Sequence, residues 1–188
     1  MRVIGGTARS LQLQCPKGLH IRPTADIIRE TLFNSLGPRI AAAAFCDLYA
    51  GCGSVGIEAA SRGAEPVVLV ERDRKAAAAI EANLEHTKLV EAAQLVRGQV
   101  MSVYGGVARR FGPFDIVFAD PPYLLEELAE IGRRLIIGGE GVASGGLVVI
   151  QHSVHHDLPD LPEPDRVKKF GDSLLSFFEV PGQGSVTA

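Results

Sequence analysis

From residue 42 to about residue 180, short apolar runs alternate with longer stretches in which apolar residues recur every three or four positions. The short runs predict β-strands and the longer stretches predict α-helices. Predicted strands end at residue 47 or cover residues 67–70, 94–97, 114–119, 147–151, 166–170 and 174–180. Because this alternation is typical of sheets built by right-handed crossovers, we predict a Rossmann-like α/β fold. Its seven-stranded sheet is mostly parallel and carries helices on both faces.

The connections between the predicted strands differ in how clearly they predict helices. An Ala-rich stretch over residues 74–87 gives the clearest helical pattern. A weaker helical piece precedes residue 111, and a further helix is expected to run to about residue 137.

The first residues of the chain predict a small appendage to this domain. Alternating runs at residues 2–4 and 11–14 flank a Gly-Gly-Thr turn, which predicts a short β-hairpin. The predicted organisation is a hairpin extension over residues 1–20, one main domain over residues 21–181 and a flexible Gly/Ser tail over residues 182–188.

A helix is predicted to follow the hairpin over residues 25–36, with Thr24 as its cap. Ile28, Leu32 and Leu36 share one stripe of this helix, which we predict to enter the core. The charged residues are left for the other side, as a solvated face or a contact surface. They are Arg22, Asp26, Arg29 and Glu30.

Composition describes an ordinary globular protein, with 46% hydrophobic and 22% charged residues. No apolar run approaches the length of a membrane span, and no signal-peptide hydrophobic region opens the chain, so we expect a cytoplasmic protein. The three cysteines have no metal-site spacing and suit a reducing compartment. His152, His155 and His156 lack converging carboxylates or cysteines, so no metal site is expected.

Charge is distributed unevenly along the chain. The net charge is −3, yet residues 1–40 contain six Lys or Arg and two Asp or Glu, which leaves the remaining residues strongly acidic. A basic end on an acidic body favours a nucleic-acid substrate, although a solvated basic surface without a partner accounts for the charge equally well.

The most informative stretch is a glycine-rich turn that follows an apolar run ending in Asp47. Gly51, Gly53 and Gly56 match the dinucleotide-binding pattern G-x-G-x-x-G, which is a weak signal alone. Asp47 would place a negative charge beside a pyrophosphate, whereas the ammonium group of S-adenosylmethionine would favour it. We therefore favour S-adenosylmethionine over a nicotinamide dinucleotide, with a tight turn that binds no ligand as a weaker alternative.

Ligands of such sheets bind outside the carboxyl ends of the strands, where further polar residues stand. Glu71 lies twenty residues after Gly51, a position from which an acid can accept hydrogen bonds from both ribose hydroxyls of an adenosine. Both candidate cofactors contain that ribose, so Glu71 does not discriminate between them. Gln99 follows the next predicted strand and is a further candidate for contact with a ligand at this edge.

The tetrapeptide Asp120-Pro121-Pro122-Tyr123 indicates the acceptor chemistry. Consecutive prolines after a strand fix the backbone and leave carbonyl oxygens free to accept hydrogen bonds. If Asp120 and the Pro121 carbonyl each accept one hydrogen of an amine, its lone pair is aimed at the methyl donor and the developing positive charge is stabilised. Tyr123 offers a surface on which a flipped base can stack. Cys46 and Cys52 are disfavoured as nucleophiles because they lie on the cofactor side.

These motifs together resemble the RsmD family of bacterial 16S ribosomal RNA guanine-N2 methyltransferases. The resemblance covers nearly all of the first 180 residues and includes RVIGG at residues 2–6, RPTADIIRETLFN at residues 22–34, DLYAG at residues 47–51 and DPPY at residues 120–123. It implies the class I methyltransferase fold, S-adenosylmethionine as cofactor and 16S rRNA or a small-subunit assembly intermediate as partner. We expect a monomer with no metal and no membrane association.

The resemblance also implies roles for individual residues. The expected cofactor-binding residues are Asp47, Tyr49, Gly51, Gly53, Glu71, Arg72, Gln99 and Val100. The expected catalytic residues are Asp120, Pro121, Pro122 and Tyr123. The expected RNA contacts are Arg2, Arg9, Arg22, Thr24 and Arg29. This chain departs from the family at residues 8–12, which lack a Gly-Arg-Lys run, and at Ile27, where an arginine is usual, so fewer phosphate contacts are expected.

Four alternatives remain open. The same tetrapeptide serves enzymes that methylate a DNA adenine amine or a protein glutamine. The glycine pattern also permits a nicotinamide-dependent oxidoreductase, which would tolerate loss of Asp120. A non-catalytic RNA-binding module would have no affinity for the cofactor.

Overall fold

The structure is a computed structural model that describes residues 1–16, 26–121, 125–156, 158 and 160–181. The described helices are α1 (Asp26–Leu36), α2 (Ser54–Ser61), α3 (Arg74–Thr87), α4 (Val100–Phe111) and α5 (Leu125–Gly132). The described strands are β1 (Phe45–Leu48), β2 (Val67–Glu71), β3 (Ala93–Arg97), β4 (Phe114–Ala119), β5 (Val142–Ser153), β6 (Arg166–Phe170) and β7 (Ser173–Glu179). A 3-10 turn at Gly37–Ile40 follows α1, and a π-helical turn at Arg133–Ile137 continues α5.

The strands form one seven-stranded sheet in the order β3-β2-β1-β4-β5-β7-β6. β1 and β3 each pair with β2 in parallel, and β4 pairs with β5 in parallel, whereas β7 is antiparallel to β5 and β6. The predicted mostly parallel Rossmann-like sheet is therefore confirmed. Among the described helices, every one is too short or too polar to cross a membrane.

The chain divides into two compact units, Met1–Val100 and Met101–Ala188. In the first unit, the carboxyl ends of β1, β2 and β3 lie side by side, since Leu48 is opposite Val70 and Glu71 is opposite Arg97. All the residues of β1 and β2 are buried, including the acids at or near their ends. Two carboxylates thus face a largely apolar interior at the edge where α/β sheets bind ligands.

The second unit contains the other end of the sheet. β5 begins at Val142, five residues before its predicted start. Val142 pairs with Phe114 of β4, and the regular pairing resumes at Leu147, opposite Ile116. Between these two pairs β5 has three more residues than β4, and this interruption separates the first residue of the strand from its apolar run. Gly145 in this interruption has a φ of +74°, which suits a residue without a side chain. The predicted weak helical piece is the twelve-residue α4, whose Tyr104 is fully buried and donates to the Glu140 carbonyl oxygen at 2.6 Å.

Residues 1–14 pack against α2 in the first unit. An antiparallel bridge joins Arg2 to Gln12. The backbone N–H groups of Ile4 and Gly5 donate to the Glu58 carboxylate at 2.7 and 2.8 Å. The Ser61 hydroxyl accepts from the backbone N–H of residue 8 at 2.9 Å and donates to the Gly5 carbonyl oxygen at 2.6 Å. Glu58 and Ser61 are almost fully buried, so these bonds fix the segment to the main core.

Candidate active site

The loop between β1 and α2 turns through residues in the left-handed region. Tyr49, Gly51 and Gly53 have φ values of 65°, 59° and 81°. Left-handed φ is disfavoured for residues with a β-carbon, so the glycines suit this turn, and Tyr49 is held there at a conformational cost. The Ala50 N–H donates to the Val70 carbonyl oxygen at 2.9 Å, which attaches the loop to β2.

Asp47 holds the start of α2. Its side chain is 1% exposed, and its Oδ2 accepts from the Gly56 N–H at 2.7 Å. A β-carbon on Gly56 would lie 2.6 Å from Leu69 Cδ2 and 3.2 Å from that same Oδ2, so only glycine allows the close approach of helix and strand. The buried negative charge lies beside the positive end of the helix dipole, where it opposes the binding of a pyrophosphate.

Glu71 holds the other side of the loop. Its carboxylate is 9% exposed; Oε2 accepts from the Gly51 N–H at 2.8 Å, and Oε1 accepts from the Asp73 N–H at 2.7 Å. Each oxygen has two lone pairs, so both can accept a further bond from a hydroxyl. Glu71 therefore orients the glycine loop in addition to the ribose contact predicted for it.

The acidic side chains at this edge fit S-adenosylmethionine. Two buried carboxylates, Asp47 and Glu71, favour an ammonium group and ribose hydroxyls and disfavour phosphates. Arg72 and Gln99 are exposed, and Val100 is buried where it can contact an apolar or aromatic ring.

The second unit contains the described part of the acceptor motif. Asp120 directly follows β4 and is partly exposed, and Pro121 is buried. Desolvation raises the pKa of Asp120 from its ordinary value to about 7. The carboxyl group therefore changes charge near neutral pH, which is characteristic of groups that exchange protons with a substrate. Pro122 and Tyr123 lie outside the described residues.

The predicted RNA contacts fall into different environments. Arg2 and Arg9 are exposed, and Ile27 is 62% exposed at the position where the family usually has arginine. The prediction that Arg29 lies on the exposed charged face of its helix is wrong. Its side chain is fully buried, and its Nη2 donates to the Arg2 carbonyl oxygen at 2.6 Å and to Asp26 at 3.0 Å. Arg22 and Thr24 lie outside the described residues.

Burial explains why Arg29 is not a simple surface cation. Within the part of the chain that the structure describes, its Nε and Nη1 atoms are buried without a hydrogen-bond partner. Loss of solvation lowers the pKa of the guanidinium group, and Asp26 opposes that shift. In the described structure, Arg29 fastens the segment that contains Arg2 to α1.

The cysteine thiols remain poor nucleophiles. Burial raises the pKa of Cys46, and the nearby Asp47 raises it further. Burial also raises the pKa of Cys52, with a smaller contribution from a hydrogen bond to Cys15. Because the thiolate is the reactive form, neither residue is suited to attack a substrate at neutral pH.

Asn83 is a site residue that the sequence interpretation missed. It is 1% exposed on α3 and its side-chain amide bonds to the Cys52 carbonyl oxygen at 3.1 Å, inside the glycine loop. The available signal was a polar residue on the buried stripe of this helix, which also contains Ala76, Ile80 and Thr87.

Comparisons with known proteins identify the family of this chain. A model of the family described as conserved hypothetical protein 95 matches residues 1–179. The ribosomal RNA small subunit methyltransferase D of Escherichia coli K12 is 37% identical over an alignment of 194 residues, which covers 100% of this chain and 94% of that protein.

Similar solved structures include a hypothetical protein from Thermus thermophilus, with a TM-score of 0.80 and 32% identity, covering 96% of this chain and 99% of that chain. An RNA methyltransferase from Salinibacter ruber in complex with S-adenosyl-L-homocysteine shares the fold, with a TM-score of 0.69 and 17% identity over 85% of this chain and 94% of that chain. The glycine loop, its two carboxylates and the family match over residues 1–179 lead to one conclusion: the chain belongs to the RsmD family of methyltransferases, which use S-adenosylmethionine.

Proposed function

We propose that this enzyme transfers a methyl group to the exocyclic N2 amine of a guanine in 16S ribosomal RNA. The observation that carries the proposal is the Asp-Pro-Pro-Tyr sequence directly after β4, with an acid whose pKa is raised to about 7. The similarity to a small-subunit rRNA methyltransferase over the whole chain supports ribosomal RNA as the substrate. Residues whose function is proposed here are Asp120, Pro121, Pro122 and Tyr123 for the acceptor, and Arg2, Arg9, Arg22 and Thr24 for the RNA.

Asp120 would orient the amine and stabilise its charge as the new bond forms. S-adenosylmethionine supplies a methyl group on a positively charged sulfur, which leaves as a neutral thioether. The ionised carboxylate and the Pro121 carbonyl oxygen would each accept one N–H, so that the nitrogen lone pair remains available for attack. The methylated nitrogen then loses one proton, which the Asp120 carboxylate can accept.

Guanine matches an ionised acid better than adenine does. Its base-pairing edge presents the N1–H donor beside the N2 amine, so one carboxylate can accept from both groups. On adenine the ring nitrogen beside the amine is an acceptor, which would repel that carboxylate. This difference favours guanine over the DNA adenine alternative.

The substrate is tested by methylation with radiolabelled S-adenosylmethionine. The acceptors to compare are naked 16S rRNA and small subunits from a strain lacking the gene, together with adenine-methylation-deficient DNA and total protein from that strain. We expect label in 16S rRNA or in the subunit, and N2-methylguanine after nuclease digestion. Label confined to DNA or to protein would overturn the proposal, and N6-methyladenine in the rRNA would overturn its guanine assignment.

The raised pKa of Asp120 predicts a pH dependence. Below pH 7 the carboxyl group is protonated in the free enzyme and can no longer accept two N–H groups. With S-adenosylmethionine and RNA both well below saturation, the rate follows the free enzyme, so it should rise about tenfold per pH unit on the acid side and level off above about pH 7. In Asp120→Asn the neutral amide oxygen accepts at every pH, so the profile should be lower and flat between about pH 5.5 and 8. An unchanged acid limb in this variant would assign the titration to another group.

A further inference from the structure

The side chain of Asn83 links three separate parts of the first unit. Its Nδ2 donates to the Gln14 carbonyl oxygen at 2.9 Å and to the Cys52 carbonyl oxygen at 3.1 Å. Its Oδ1 accepts from the Gln14 N–H at 2.8 Å. One amide group on α3 therefore binds both the segment of residues 1–14 and the glycine loop of the cofactor site.

These bonds differ from those of an ordinary buried polar side chain. Within the described residues, Thr87, one turn along the same buried stripe, bonds only to carbonyl oxygens of its own helix, those of Asn83 at 2.7 Å and Leu84 at 3.3 Å. Asn83 instead uses both amide hydrogens and its oxygen on residues 31 and 69 positions away in sequence. An apolar residue would fill the same space, so the amide is explained by the backbone groups that it orients.

We propose that Asn83 is a positioning residue that fixes the Cys52 carbonyl of the cofactor loop and couples this loop to the segment containing Arg2 and Arg9. The loop needs left-handed conformations at Gly51 and Gly53, so holding the intervening carbonyl reduces the ordering that cofactor binding requires. RNA that contacts the segment and stabilises its docked position would, through Gln14, also favour the bound form of the loop. By linkage, the cofactor raises the affinity for RNA by the same factor.

The first measurement is the Kd of S-adenosylhomocysteine by calorimetry without RNA, which does not depend on the proposed substrate. In Asn83→Asp a carboxylate faces two carbonyl oxygens, so we expect a Kd about tenfold higher than in the unmodified enzyme. Thr87→Val is the matched control: it removes a buried polar group from the same helix and should leave the Kd within about twofold. An equal Kd in both variants would overturn the positioning role. If Asn83→Asp does not fold, Asn83→Leu takes its place under the same criterion.

The second measurement tests the coupling, which rests on the proposed RNA substrate. Small subunits from the strain lacking the gene should lower the Kd of S-adenosylhomocysteine at least about fivefold for the unmodified enzyme, and much less for Asn83→Asp. Ser61→Ala, which removes two of the hydrogen bonds that hold the segment to α2, should weaken cofactor binding only when Asn83 is present. Subunits that bind without changing the Kd would overturn the coupling, whereas absence of subunit binding would count against the substrate and leave the first measurement decisive for Asn83.

Discussion

Replacing Asp120 by alanine is expected to lower kcat for methyl transfer by about 10³-fold or more, with little change in the affinity for S-adenosylmethionine. The variant loses both the acceptor that orients the amine and the negative charge that stabilises the transition state, and each such loss typically decreases the rate by about 10² to 10³. Single-turnover methylation of 16S rRNA measures the chemical step, and calorimetry with S-adenosylhomocysteine measures the affinity for the cofactor.

The same strand provides the control for this experiment. Asp115 is an exposed acid near the start of β4, so Asp115→Ala removes equal charge and volume away from the motif. It should retain nearly full activity.

Unfolding does not account for the expected loss in Asp120→Ala, because a folded-state pKa above the ordinary value means that the ionised acid disfavours the folded protein as pH rises from about 4 to about 7. The alanine variant should thus melt no lower than the unmodified enzyme at about pH 8. Methylation activity within about tenfold of normal would refute the proposed role of Asp120 in methyl transfer.

Glu71→Ala is expected to raise the Kd for S-adenosylmethionine by about 100-fold. The substitution leaves the N–H groups of Gly51 and Asp73 without their acceptor and removes the proposed ribose contact. Charge-assisted hydrogen bonds contribute about 1.5 to 3 kcal/mol each, so losing the two proposed bonds from the ribose hydroxyls accounts for about 3 kcal/mol, which corresponds to about 100-fold. Glu71→Gln keeps one accepting oxygen and should fall between alanine and the unmodified enzyme.

Glu81→Ala serves as the matched control in the same unit. Glu81 is half exposed and pairs at 2.6 Å with Arg97, which lies opposite Glu71 in the sheet register, so its loss removes an acid without touching the loop. Surface ion pairs contribute little, and we expect a change in Kd of less than about twofold. Equal changes in Kd from Glu71→Ala and Glu81→Ala would mean that the overall negative charge of this unit, and not the hydrogen bonds made by Glu71, determines the affinity for the cofactor.

Local patterns predicted the elements whose stability is mostly local. Helix α3 begins after Asp73, whose carboxylate accepts from the N–H groups of Lys75 and Ala76 at 2.8 and 2.9 Å, and the predicted residues 74–87 match the structure. The largely apolar run of β4 was equally clear. The family resemblance and its cofactor are also confirmed. They could be predicted because the glycine loop and the acids that flank it lie close together in the sequence.

Features that depend on tertiary contacts were not predictable in this way. Arg29 appeared to belong to a charged helix face, yet its partners, the Arg2 carbonyl oxygen and Asp26, keep it inside. The role of Asn83 depends on residues 31 and 69 positions away, which no helical pattern reveals. Glu71 was placed correctly at a strand end, but its bond to the Gly51 N–H arises only when the glycine loop packs against β2.

The docking of residues 4–14 has a consequence for protein synthesis. Their hydrogen-bond partners Glu58, Ser61 and Asn83 lie 53 to 69 positions later in the chain, so this segment leaves the ribosome long before its binding surface has been translated. Contacts of such high sequence separation form late because the intervening chain must first be ordered. The nascent segment is therefore expected to remain open to proteases until α3 has emerged, and pulse-chase proteolysis of stalled chains ending before and after residue 87 would detect the change.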